Sequence, residues 1–167
     1  VGLPLAKSFS THFHTIGYDV NHSLIDNLKS KESKSLNFTK KSSDLIDSNI
    51  YIIAVPTPVN KDNIPDLRSL ESATTLISNY INQNDIVIYE STVYPGVTEE
   101  FCIPIIESIT NFKLNIDFFC GYSPERISPG DNTKSVEDIV KVTSGSNKET
   151  ADKIDNIYKK IIKAGTY

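Results

Sequence analysis

The 167 residues include no methionine, no tryptophan and only two cysteines. A chain without methionine does not begin where translation begins, so a fragment of a longer polypeptide is expected, truncated at both ends. Cys102 and Cys120 fit neither a zinc-ligand spacing nor a disulfide framework. Both stand in apolar contexts, Phe101-Cys102-Ile103 and Phe119-Cys120-Gly121, which raise a thiol pKa. That favours reduced, structural cysteines, with a catalytic thiol as the alternative for either. Positive charge is also short: 17 Lys and Arg against 21 Asp and Glu leave a net charge of −4, no excess for nucleic-acid phosphates or an anionic membrane. No apolar run approaches the roughly 20 residues that span a bilayer, and no signal peptide opens the chain. These absences point to a cytoplasmic protein with neither a nucleic-acid nor a membrane partner. His12 and His14 sit two apart and could share one strand face, but two ligands do not make a site, so no metal is expected.

What is present is the balance of a globular domain, 38% hydrophobic and 23% charged, in a chain sized for one core. Residues 3–13 read as the body of a helix, "TIGYDV" (15–20) as a short strand ending at Asp19, and Leu24, Ile25 and Leu28 as the apolar face of a second helix. "KSKESKS" (29–35) is a polar connection and "LNFT" a short edge strand. "NIYIIAV" (49–55) is a strand covered on both faces. Leu67, Leu70, Ala73, Ile77, Tyr80 and Ile81 recur at helical spacing, with Asp66 as N-cap. "DIVIYEST" (85–92) is a further buried strand, followed by a Pro95-Gly96 turn. A helix on Val97, Phe101, Ile105 and Ile109 must kink or begin at Pro104. "DFFCGYS" (117–123) and "DIVKVTSG" (138–145) are two more strands, and Ser146 to Glu149 a capping box for a last helix along Ile154 to Ile162.

Alternating strands and helices with buried strands predict an α/β fold, a Rossmann-like doubly wound parallel sheet with helices on both faces. Ligands of such sheets lie outside the carboxyl ends of the strands, so "AVPTP" (54–58), "YESTVYPG" (89–96) and "GYSPERISPG" (121–130) are expected along one crevice. Gly2 opens the first helix, and Asp19 follows it by 17 residues at the end of the next strand. An interval of roughly 20 residues separates the glycine-rich turn from the ribose-binding acid in dinucleotide-binding folds. On spacing alone a dinucleotide site and a plain helix start with an acidic strand end both remain open.

"VGLPLA", "YIIAVPTPV", "PDLRSLESA", "ESTVYPGVTEE" and "GYSPERISPGD" occur in that order along nearly the whole chain. Together they resemble the UDP-glucose/GDP-mannose dehydrogenase family. The form "SPERISPGD" is most similar to that of members acting on UDP-N-acetylhexosamines, UDP-N-acetylglucosamine above all. The resemblance implies that residues 1–167 are the NAD-binding domain, with its first strand, the central helix and the UDP-binding domain outside the chain. It implies NAD as cofactor, a UDP-sugar as substrate and a homodimer in the complete protein. Val1 and Gly2 would receive the pyrophosphate at a helix N-terminus. Asp19 would bind both ribose hydroxyls, which favours NAD over a 2′-phosphorylated cofactor. Val55, Pro56, Thr57 and Thr92 would line the nicotinamide side, the two prolines holding the Thr57 hydroxyl in place. Glu125 would serve in general base work with Thr92 beside it, and Glu125, Arg126 and Ile127 would contact the nucleotide sugar.

The family oxidises a primary alcohol to a carboxylate by two hydride transfers, through a thiohemiacetal on a cysteine. Neither Cys102 nor Cys120 has the glycine-rich context of that nucleophile, so the chain by itself is expected to be inactive. Family members often carry a basic residue five positions after the ribose-binding acid, where this sequence has Leu24. Within the family a UDP-N-acetylmannosamine or UDP-glucose dehydrogenase stays open; outside it, a 2- or 3-hydroxyacid dehydrogenase and a non-catalytic dinucleotide-binding module are the other readings. "SPERISPGD" speaks against the hydroxyacid dehydrogenases.

Overall fold

A computed structural model describes residues 2–125 and 135–167. Helix α1 (Gly2–Phe9) leads to strand β1 (Thr15–Tyr18), helix α2 (His22–Leu28), β2 (Leu36–Thr39) and β3 (Ile50–Ile53). Then come α3 (Arg68–Ser78), β4 (Ile86–Tyr89), α4 (Ile103–Thr110), β5 (Phe119–Tyr122), β6 (Ser144–Gly145) and α5 (Lys148–Lys159). β1 pairs with β2 in parallel, Thr15 opposite Leu36. The remaining strands form a second sheet in the order β3-β4-β5-β6, parallel except for β6.

The alternation of side chains along the buried strand β4 sets the layers. Val87 and Tyr89 point into a core shared with Leu70 and Ile77 of α3 and Ile103 and Ile106 of α4. Ile86 and Ile88 point the other way, onto Leu5 and Phe9 of α1 and Ile154 and Tyr158 of α5. A strand with period-two geometry and apolar residues at every position is satisfied only between two helical layers, so this sheet is doubly wound, as expected. Ile25 and Leu28 of α2 cover Leu36 and Phe38 of β2 in a smaller cluster.

Several local expectations shift. Asp66 does not sit at the N-cap of α3, which is Leu67; its carboxylate accepts from the Arg68 backbone N–H at 3.0 Å and pairs with the Arg68 guanidinium. The helical run is continuous from Val97 through α4, so Pro104 lies inside it, and the turn before it, Thr98–Cys102, widens into a π-turn that accommodates the missing N–H. Only Ser144–Gly145 of "DIVKVTSG" joins the sheet, and antiparallel. The 3-10 turn Val136–Asp138 takes the front of that stretch, closed by a capping box between Ser135 and Asp138. At α5 the N-cap is Asn147, whose side chain accepts from Thr150 N at 2.8 Å. Ser146 is drawn off to Cys120 N and Asn115 instead.

Gly145 is required by proximity. A Cβ there would lie 2.3 Å from the backbone nitrogen of Ala151 and 2.7 Å from its Cα, atoms that cannot rotate away. Gly145→Ala is therefore expected to cost about 3 kcal/mol or more, read as a lowered urea midpoint at unchanged m-value.

Cys102 and Cys120 are buried and reduced. Burial pushes the Cys102 thiol up to about 11, and the Cys120 thiol up further. The folded chain thus keeps protons that the unfolded chain releases above the ordinary thiol value. Stability is expected to fall as pH rises beyond about 9, approaching about 1.4 kcal/mol per pH unit for each thiol. Urea titrations between pH 8 and pH 10.5 check this (about two and a half pH units), with both thiols resisting alkylation until the chain unfolds.

Candidate functional site

The chain leaves β3 through Ala54-Val55-Pro56-Thr57-Pro58, whose prolines end backbone pairing with the neighbouring segment. Hydroxyl groups replace that pairing. Glu90 N still reaches Ile53 O at 2.8 Å. Beyond it, Ser91 Oγ donates to Val55 O at 2.7 Å and Thr57 Oγ1 donates to Thr92 O at 2.5 Å. The ends of β3 and β4 are stitched together by side chains, so their backbones can open into a cleft without losing register. Ala54, Val55, Pro56, Thr57, Glu90, Ser91, Thr92 and Glu125 line that cleft, which holds about 140 Å³. Three strand-end segments expected to share one crevice are thus together.

Gly2 opens α1 against this place. The nearest atom to a Cβ built on it is Ala54 Cβ, at 3.7 Å, so the first turn of the helix adjoins the beginning of the proline segment and stays exposed. The first amides of a helix lack intrahelical acceptors and carry the positive end of its dipole, which suits a pyrophosphate. Asp19 directly follows β1 and is half-buried; its Oδ1 accepts from Asn21 N at 2.8 Å. Asn21 in turn caps α2 through Leu24 N at 3.0 Å. Two successive local bonds hold the carboxylate at the strand end, although Asp19 does not line the cleft itself. Val1, Arg126 and Ile127 lie outside the described residues.

Glu90, which lines the cleft, and its buried partner Lys141, which does not, are two residues to which the sequence alone assigns no role. Glu90, 1% exposed, continues the apolar strand β4 with a charge. Lys141, 2% exposed, meets its Oε2 at 2.5 Å, while Tyr158 of α5 donates to its Oε1. Burial pushes the Glu90 carboxyl above its usual range; Lys141 and Tyr158 oppose that shift and the charge of Glu125 adds to it. A lone acid at the end of an all-apolar strand, and a lone lysine inside "DIVKVTSG", were the signals available.

A larger hollow of about 310 Å³, between the carboxyl ends of α1 and α5, contains His12, Lys159, Lys160 and Lys163 but none of the expected site residues. Lys159 and Lys163 there are neutralised by Asp155 and Glu137, and His14 lies instead beside Asn37. Among the described residues no cluster of His, Cys, Asp or Glu could hold a metal ion, and no helix is long and apolar enough to cross a membrane.

A doubly wound sheet whose strand ends open beside a helix N-terminus, with an acid closing the next strand, defines a dinucleotide-binding domain of the dehydrogenase type. Residues 29–162 match the profile of the UDP-glucose/GDP-mannose dehydrogenase family, NAD binding domain, and the chain belongs to that family. It is 44% identical to a UDP-N-acetyl-D-glucosamine 6-dehydrogenase of Pseudomonas aeruginosa, over all of this chain and 43% of that protein. It is 30% identical to a UDP-N-acetyl-D-mannosamine dehydrogenase of Pyrococcus horikoshii, over 98% of this chain and 43% of the other. Among solved structures, a UDP-D-ManNAc dehydrogenase from Pyrococcus horikoshii superposes with a TM-score of 0.91 at 28% identity, covering 100% of this chain and 44% of that one. The chain therefore spans less than half the length of the relatives it matches.

Proposed function

We propose that this chain is the NAD-binding domain, residues 1–167, of a UDP-N-acetylhexosamine 6-dehydrogenase, with UDP-N-acetylglucosamine as the favoured substrate. The observation that carries the reading is the cleft in which "AVPT", "EST" and Glu125 meet beside the start of α1, in a chain 44% identical to a UDP-N-acetyl-D-glucosamine 6-dehydrogenase. The overall conversion takes a primary alcohol and water to a carboxylate, with two hydrides and three protons removed. NAD, when bound, supplies the hydride acceptor.

The remaining work falls to the protein. Val1 and Gly2 hold the pyrophosphate, and Asp19 accepts from both ribose hydroxyls. Val55, Pro56, Thr57 and Thr92 form the nicotinamide side, where the Thr57 to Thr92 bond fixes the wall against which the reacting carbon is presented. Glu125, which also lines the cleft, takes up a proton from the substrate or from the attacking water, and Arg126 and Ile127 contact the nucleotide sugar. Cys102 and Cys120, buried and held protonated, are unsuited to nucleophilic attack. The thiol of the family's scheme therefore comes from a part of the polypeptide outside this chain, as do the UDP-binding domain and the homodimer contact. The protein works in the cytoplasm, without nucleic-acid or membrane partners.

The test is to supply the complete polypeptide with NAD and, in turn, UDP-N-acetylglucosamine, UDP-N-acetylmannosamine and UDP-glucose, following NADH. Two NADH per UDP-N-acetylglucosamine is the expected result. Turnover of another sugar alone would reassign the substrate, and NAD binding without any turnover would make this a non-catalytic dinucleotide-binding module.

A further inference from the structure

The cation beneath the cleft serves two masters. Besides its 2.5 Å contact with Glu90, Lys141 Nζ donates to Pro124 O at 3.0 Å, the carbonyl immediately before Glu125. It also lies over the Tyr158 ring, 5.8 Å from the centroid. Its own backbone is clamped: Lys141 N donates to Gly165 O at 3.1 Å and Tyr167 N donates to Lys141 O at 2.9 Å. Ser123, just ahead of Pro124, is tied on both sides, its N–H to Tyr89 O at 2.9 Å and its hydroxyl to Val142 O at 2.8 Å. A segment that leaves β5 toward the cleft is thus held by the end of β4, by α5 and by the stretch that contains Lys141.

Stability does not call for charge at this place. A buried ion pair is matched or exceeded by apolar residues of similar volume, because the desolvation of both ions offsets their attraction. Ser123 is already anchored by neutral groups. What a buried ammonium adds is a strong, directional bond to Pro124 O from a point that Glu90 and Tyr158 locate. Among the described residues, Glu90 at the end of β4 and Tyr158 of α5 lie within the electrostatic reach of Glu125, and Lys141 before β6 holds the carbonyl that precedes it. The charge of Glu125 acts on two of them, adding to the upward push that burial gives both Glu90 and Tyr158.

We propose that Lys141, located by Glu90 and Tyr158, is a positioning residue that fixes the Glu125 carboxylate in the cleft through the Pro124 carbonyl. This rests on the proposed role of Glu125, and the experiment separates the two. The double variant Glu90→Gln/Lys141→Met removes the ion pair without stranding a buried charge. It keeps an acceptor for Tyr158 and deletes the donor to Pro124. Glu90→Gln by itself, which keeps that donor, measures the effect of losing the Glu90 charge beside Glu125, and the changes below are those of the double variant relative to it. In the complete polypeptide kcat for UDP-N-acetylglucosamine oxidation is expected to fall about 10²-fold, with KM for NAD changed by less than about threefold. In the same protein, carboxyl-labelled with ¹³C-glutamate, the Glu125 resonance is expected to move or broaden, while that of Glu149, far along the chain on α5, stays in place. Should the double variant lose its helical circular dichroism, Glu90→Gln/Lys141→Leu, which likewise has no donor at position 141, replaces it with the same expectations.

An unmoved Glu125 resonance overturns the proposal whatever happens to the rate, and so does an unchanged kcat beside a moved resonance. If the unsubstituted protein oxidises no UDP-sugar, the functional reading fails. The resonance alone then decides whether Lys141 positions Glu125.

Discussion

Replacing Glu90 by leucine alone is expected to destabilise the protein by about 3–5 kcal/mol, because Lys141 is then left as a buried charge without a counter-ion. Its side chain is 3% exposed and that of Glu90 is 0% exposed, so water cannot stand in for the missing partner. The triple variant Glu90→Leu/Lys141→Met/Tyr158→Phe removes every polar group of the cluster together, and should return to within about 2 kcal/mol of the parent. Urea midpoints of the single and triple variants measure the difference. A triple variant as unstable as the single one would show that packing, rather than an uncompensated charge, sets the cost. The pH dependence has a definite sign. Burial raises the Glu90 pKa in the fold, so the folded state holds that proton more tightly than the unfolded chain. The contribution is present below the ordinary carboxylate range and is lost as pH rises through the folded-state value. Glu90→Gln should flatten that part of the profile.

Asp19→Ala is expected to weaken NAD binding by about 10- to 100-fold, the equivalent of one charge-assisted hydrogen bond at about 1.5–3 kcal/mol. Because Asp19 also accepts from Asn21 N, loss of binding could reflect a disturbed turn rather than a missing ribose contact. Asp19→Asn separates the two: it keeps an acceptor for Asn21 N and removes the charge. Calorimetric titration with NAD and with its 2′-phosphorylated analogue is the measurement. Weakened NAD binding in Asp19→Asn, with relaxed discrimination against the phosphorylated form, supports the ribose role; unchanged binding in both variants removes Asp19 from the site.

Most elements were legible because their signals are local. β4 is all apolar, and α3 and α5 repeat apolar residues at helical spacing, so element type follows from period alone. The proline segment announced both the end of β3 and the cleft, since a chain that gives up sheet pairing so abruptly must place those residues beyond the sheet. Caps were less legible. Asp66 and Ser146 each stood one residue from the true N-cap, and which neighbour takes that position depends on competing partners, the Arg68 guanidinium and the Asn115 side chain. "DIVKVTSG" has the composition of a strand, yet only its last two residues pair with the sheet. The rest is spent on a capped turn and on the bridge from Lys141 to the segment at Thr166.

The order of motifs, the family and the crevice at the strand ends were determined by the sequence alone, because each rests on residue type and spacing within a few turns of chain. The cluster under the crevice was decided only by the tertiary structure. Glu90 and Lys141 are 51 residues apart, Glu90 and Tyr158 are 68 apart, and nothing in the neighbourhood of any of them names its partner. Only a sheet that sets the end of β4 between α5 and the exit of β5 brings an acid, a lysine and a tyrosine out of water together. There the low dielectric makes each of them depend on the other two.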